Sequence, residues 1–215
     1  MEKQLEILKT LIEELRLDKN ITGIMLMGSV AYENAGEDSD LDMLVLCNED
    51  KFVSKYIENV LVEIHFQKYN TMLKKLESNS IEVYKYIYSK ILFDDGKLNK
   101  LYFKANEIYD NYRIPIDEFN DIKYWLSSTK IKLISAIKNN DIEKASYIIS
   151  TNSWKLLEGI WAANNKPMPP SSLAFNKYDV LKHIPSENWF NNLFVGDIIS
   201  RSKTFINIID WICKQ

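Results

Sequence analysis

Apolar positions recur along this chain in two rhythms, and the change from one to the other divides it. In residues 2–18, Leu5, Leu8, Ile12 and Leu15 fall at helical spacing with charges between them, which predicts an amphipathic helix. Period-two and short apolar runs then take over. Strands are predicted at about 22–27 and 40–47. Residues 52–57 and 60–67 can pair as a hairpin around Glu58-Asn59, although 50–57 also has a helical reading. On 60–67, Glu63 and His65 share one face, and Val62, Ile64 and Phe66 share the other. Residues 70–78 and 81–89 read as helices, 90–97 as a short strand ending in a turn, and 98–111 as a helix.

Pro115 marks a boundary, and beyond it the strand signal vanishes. Ile122, Trp125, Leu126, Thr129, Leu133 and Ile137 form one helical stripe. Ala145, Ile149, Asn152, Leu156, Ile160 and Ala163 form a second. A proline-marked loop at 164–172 leads to a short helix near 173–182 and a last one near 190–213. Four helices with short links predict an antiparallel bundle. The expected class is α+β: a mixed sheet with flanking helices over 1–113, then an antiparallel helical bundle over 114–215. Most of Trp125, Tyr147, Trp154 and Trp161 are expected in the core.

Composition narrows the range of functions. Hydrophobic residues make up 46% of the 215, enough for a proper core, and the net charge is −3. Such a balance offers no basic surface for nucleic acid. The acidic excess lies in residues 1–114, and 115–215 carry a small basic one. Cys47 and Cys213 fit no metal-ligand spacing and are expected to be reduced thiols. The charged, amphipathic start is unlike a signal peptide, and the longest apolar run, Ile21 to Met27, is too short for a bilayer. A cytoplasmic protein with no membrane partner is expected. The Lys-, Asn- and Ile-rich usage fits an AT-rich bacterial genome.

The chemistry gathers between residues 23 and 46. An apolar strand runs into Gly28-Ser29, a turn-rich loop from Asn34 to Ser39 follows, and the next strand opens on Asp40-Leu41-Asp42. Alternate strand residues point the same way, so Asp40 and Asp42 project together. Two neighbouring carboxylates repel unless a cation sits between them, and Mg²⁺ suits such oxygen ligands together with phosphates. Glycine lets a backbone approach an anion closely, and the serine hydroxyl can donate to phosphate. Asp38 reads as a turn residue of the loop, and Glu33 and Glu37 as solvated.

An apolar strand, Gly-Ser, about ten residues and then Asp-x-Asp on a strand resembles the signature of the polymerase-beta-like nucleotidyltransferase superfamily. Within it the chain is most similar to small bacterial kanamycin- and streptomycin-type enzymes. Two weaker stretches, Ile91-Leu-Phe-Asp-Asp-Gly96 and Trp161-Ala-Ala-Asn-Asn-Lys-Pro-Met-Pro-Pro170, extend the likeness. The resemblance implies transfer of a nucleoside monophosphate, AMP from ATP, to a hydroxyl of a small acceptor such as an antibiotic, with two Mg²⁺ ions. It implies Asp40, Asp42 and Glu63 as catalytic and metal-binding carboxylates and Gly28 and Ser29 as nucleotide-binding. Weaker candidates are Glu158, placed like the helical-domain base of some relatives, and Lys155 and Arg201 as triphosphate cations. His65 reads either as a pocket residue or as a partly buried strand histidine. The acceptor is expected in a cleft between the two halves. Two other readings stay open: adenylation of a partner protein, and a non-catalytic nucleotide-binding module. The acceptor, the preferred nucleotide and the oligomeric state are not encoded in any motif.

Overall fold

A computed structural model describes residues 2–32 and 35–215. Glu33, expected to be solvated, and Asn34, where the loop was expected to begin, lie outside the described residues. The chain divides into two compact units, Met1–Asn111 and Tyr112–Gln215.

The first unit is built on five strands: β1 (Gly23–Met27), β2 (Leu41–Leu46), β3 (Lys51–Ile57), β4 (Val60–Gln67) and β5 (Lys90–Asp94). Their order is β3-β4-β2-β1-β5. β2 and β4 run parallel, and the other neighbours run antiparallel. The hairpin reading of 52–67 holds. β3 and β4 turn on Glu58 and Asn59, both at positive φ (48° and 67°), as a two-residue turn matched to strand twist requires.

One sheet face is apolar. Ile24, Leu26, Leu41, Met43, Val45, Val62 and Ile64 form a core with Ile7, Leu8 and Leu11 of helix α1 (Glu2–Leu15). The alternate residues of β2 and β4, Asp42, Leu44, Glu63 and His65, lie on the other face. Leu98 of α5 (Lys97–Asn111) covers that face's far part, beside Gly23 and Leu46. Asp94 caps α5 by accepting from the N–H groups of Leu98 and Asn99 at 2.8 and 2.9 Å. Between the strands lie the short α2 (Gly28–Ala31), α3 (Tyr69–Ser78) and α4 (Val83–Ile87).

The second unit is helical as expected, with two of its segments differing in extent. Three long ones, α6 (Ile116–Lys138), α7 (Ile142–Ala163) and α10 (Ile198–Cys213), share one core through Ile122, Leu126, Leu133, Ile149, Leu156, Ile160, Phe205 and Ile209. The helix expected near 173–182 is only α8 (Ser171–Asn176), and the one expected near 190–213 is broken into α9 (Trp189–Phe194) and α10. Gly196, at φ 118°, makes the break, and Asp197 then caps α10 by accepting from Ile199 and Ser200 N–H.

The aromatic expectation is also corrected. Trp161 is buried, but Trp125, Trp154 and Tyr147 are 56%, 45% and 70% exposed. The apolar stripe alone could not show this, because Trp125 sits at its edge, beside the buried Leu126. Trp125 is held by a hydrogen bond from Nε1 to Asn152 Oδ1 at 2.8 Å, and Asn152 is itself only half-buried. Tyr124, Trp125, Lys132, Tyr147 and Thr151 line an open cavity of about 350 Å³ between α6 and α7. Among the described residues no helix is long and apolar enough to cross a membrane.

Candidate active site

Three neighbouring strands deliver the predicted residues to one place by register. Met27, the last residue of β1, faces Asp42 across the antiparallel pair, and Asp42 faces Glu63 across the parallel pair. Gly28 is the next residue after Met27, so it arrives beside the Asp42 side chain. A Cβ on Gly28 would collide with Asp42 Oδ2 and lie 3.1 Å from its Cγ, and the residue has φ 68°. Both facts demand glycine here. Ser29 follows on α2, and its Oγ is buried without a hydrogen-bond partner. A buried hydroxyl left unpaired is costly and unusual, and this one follows directly on the glycine that meets Asp42, which is consistent with a ligand that completes it.

Asp40 stands one residue before β2. It, Asp42 and Glu63 form one electrostatic group. Burial pushes the Asp42 carboxyl up to about 6, and the charges of Asp40 and then Glu63 push it the same way. A cation would remove the repulsion that the fold leaves in place. Among the described residues, no three His, Cys, Asp or Glu side chains are already gathered around a single point. The Asp40 and Asp42 carboxylates are oxygen donors of the kind that Mg²⁺ takes one or two of, together with substrate phosphates.

His65 is on the carboxylate face, two residues beyond Glu63. Its ring packs against Phe52 with centroids 4.7 Å apart. Burial lowers its pKa first and the charge of Lys85 second, while Glu63 acts in the opposite direction. It is a half-buried strand histidine packed on Phe52. Asp38 lies in an exposed turn. Lys155 and Glu158 are on α7 in the helical unit, where they form an ion pair with each other. Arg201 donates from Nε to the Leu193 carbonyl at 3.0 Å and ties α9 to α10.

Sequence reasoning missed Tyr32. Burial raises its pKa first and the Asp42 charge second, so a neutral phenol stands close to the carboxylate group. Its ring meets Tyr88 edge-on at 6.2 Å, and Tyr88 stacks on Tyr84. The signal was its place one helical turn after Gly28, whose carbonyl accepts from the Tyr32 N–H at 3.2 Å.

Residues 9–97 match the family model described as Polymerase beta, Nucleotidyltransferase. No curated protein matches the chain. Two solved structures resemble it at low identity. One is a nucleotidyltransferase-like protein from Exiguobacterium sibiricum, 11% identical over 96% of this chain and 73% of that one, with a TM-score of 0.46. The other is spectinomycin adenyltransferase AAD(9) from Enterococcus faecialis, solved with ATP and spectinomycin, 15% identical over 100% of both chains, with a TM-score of 0.33. The matched stretch lies within the first unit and contains the Gly-Ser and Asp-x-Asp strands, so over residues 9–97 the chain matches a polymerase-beta nucleotidyltransferase domain.

Proposed function

We propose that the protein transfers AMP from ATP to a hydroxyl of a small-molecule acceptor, an antibiotic being the class to test first, in a magnesium-dependent reaction. The observation that carries this reading is the juxtaposition of Gly28 and the unpaired Ser29 hydroxyl with a self-repelling carboxylate group. The first pair is arranged for an anion and the second for a cation, and a metal–nucleoside triphosphate is both at once.

In this reading Gly28 admits the triphosphate close to the backbone and Ser29 donates its hydroxyl to a phosphate oxygen. Asp40 and Asp42 hold the ion that accompanies the nucleotide. That ion, when bound, neutralises charge on the phosphoryl oxygens. Glu63, next to Asp42 in register, takes the acceptor's proton or holds a second ion. The acceptor oxygen forms a bond to the α-phosphorus, the bond from that phosphorus to the bridging oxygen breaks, and pyrophosphate leaves. The helical unit is assigned the choice of acceptor, since the recognised phosphate chemistry all lies in the first unit.

The test is to incubate the protein with ATP, Mg²⁺ and a panel of hydroxylated antibiotics, spectinomycin among them. Pyrophosphate is followed, and the acceptor is weighed by mass spectrometry. An acceptor gaining one AMP per pyrophosphate is expected. Adenylated protein with every small molecule unchanged would replace this acceptor class with a protein one.

A further inference from the structure

Helix α1 packs an apolar stripe against the sheet, and one polar residue stands inside that stripe. Gln4 is fully buried in the same helix as Ile7, Leu8 and Leu11. Its Nε2 donates to the carbonyls of Glu37 at 2.9 Å and Ser39 at 3.1 Å, with Gly36 more distant at 3.4 Å. Chemistry decides the amide's orientation, since the flipped form would set Oε1 against three carbonyl oxygens. Oε1 has no hydrogen-bond partner. Burying a half-satisfied amide costs stability, and an aliphatic side chain would fill a stripe position without that cost.

What Gln4 grips is the segment that delivers Asp40. Residues 36–39 close on themselves, Ser39 N–H donating to Gly36 O at 3.3 Å and Gly36 N–H to Ser39 Oγ at 2.9 Å. The Ser39 carbonyl belongs to the peptide bond that enters Asp40. Asp42 is fixed by strand partners on both sides, Met27 and Glu63. Asp40 precedes the first paired residue of β2, Leu41, and its direction depends on the peptide ahead of it. We propose that Gln4 is a positioning residue: it orients the peptide before Asp40 and so aims that carboxylate at the cation shared with Asp42. This rests on the nucleotidyl-transfer reading above.

The experiment uses the full chain with Mn²⁺ and ATP as probes. Gln4→Met keeps length and apolar packing but removes the donor. Gln4→Glu keeps the shape and makes donation depend on protonation. Groups that hold a metal ligand in place typically change metal affinity by about 10–100-fold when lost. Gln4→Met is expected to weaken Mn²⁺ binding in the presence of ATP by about that factor. Without metal, amide protection should fall over residues 36–41 and stay unchanged in β1 and β4. Gln4→Glu should show protection near wild type at pH 5, where the acid donates, and lose it at pH 8, where a carboxylate faces carbonyl oxygens. This second variant answers even if Gln4→Met does not fold. Unchanged Mn²⁺ affinity in the folded variants, with protection lost evenly across the unit, would make Gln4 a general stabiliser and overturn the proposal. Wild-type protein that binds no Mn²⁺ with ATP would instead overturn the metal reading on which it stands.

Discussion

Asp42 is the residue at which folding and the proposed function pull in opposite directions. Its carboxyl titrates near 6 in the folded protein, above its ordinary value of 3.8. Between those values the folded state holds a proton that the unfolded state has released, so stability falls as pH rises through that window. Above it the full penalty remains. Asp42→Asn should therefore raise the metal-free melting temperature at pH 7.5, and the gain should vanish near pH 4. Thermal melts at both values check this, and the same variant should give no transfer. Ser29→Ala removes a buried hydroxyl that lacks a partner. It should leave the metal-free protein as stable as before, or stabilise it by about 1 kcal/mol, while weakening ATP. Melting curves beside ATP titrations separate the two effects. Glu63→Gln should spare ATP binding and cost about 10²–10⁴-fold in turnover, as loss of a proton acceptor does. Equal losses of binding and turnover would move Glu63 to the nucleotide side.

At the scale of elements, the readable parts of the sequence were those whose local rule and tertiary setting agree. The alternation in 60–67 predicted the face shared by Glu63 and His65, because one side of β4 is buried and a one-residue slip would bury both polar side chains. Glu58-Asn59 was readable as a hairpin turn because the residues there must turn left-handed, and the structure has both at positive φ. Glu58→Gly should relieve the more strained of the two positions and, net of glycine's entropic cost, stabilise the unit by up to about 1 kcal/mol, measurable by denaturant unfolding. The break at Gly196 was hidden, because apolar spacing continues across it from Phe190 and Leu193 to Phe205. The exposure of Trp125 and Tyr147 was hidden for a different reason. Hydrophobicity predicts burial only where a neighbour comes to cover the ring, and a single strip of sequence does not say which helix that is. Gln4 and Tyr32 escaped notice because each acts through a segment distant in sequence or by a charge across a turn.

For the whole molecule, the division into Met1–Asn111 and Tyr112–Gln215 separates all the recognised phosphate chemistry from the helical unit. Residues 1–111 expressed alone should fold and bind ATP with Mg²⁺ yet fail to modify the acceptor that the full chain uses. Transfer by the fragment at full-chain efficiency would remove acceptor selection from the helices. Whatever the acceptor, Gly28, Ser29, Asp40 and Asp42 are proposed together to make a site for a metal-bound nucleotide. It is tested most directly by calorimetric titration of the full chain with ATP, in Mg²⁺ and in chelator, for wild type and Asp42→Asn. Wild type is expected to bind ATP in Mg²⁺ only, and the variant little or none in either condition. Equal ATP affinity in all four titrations would contradict it.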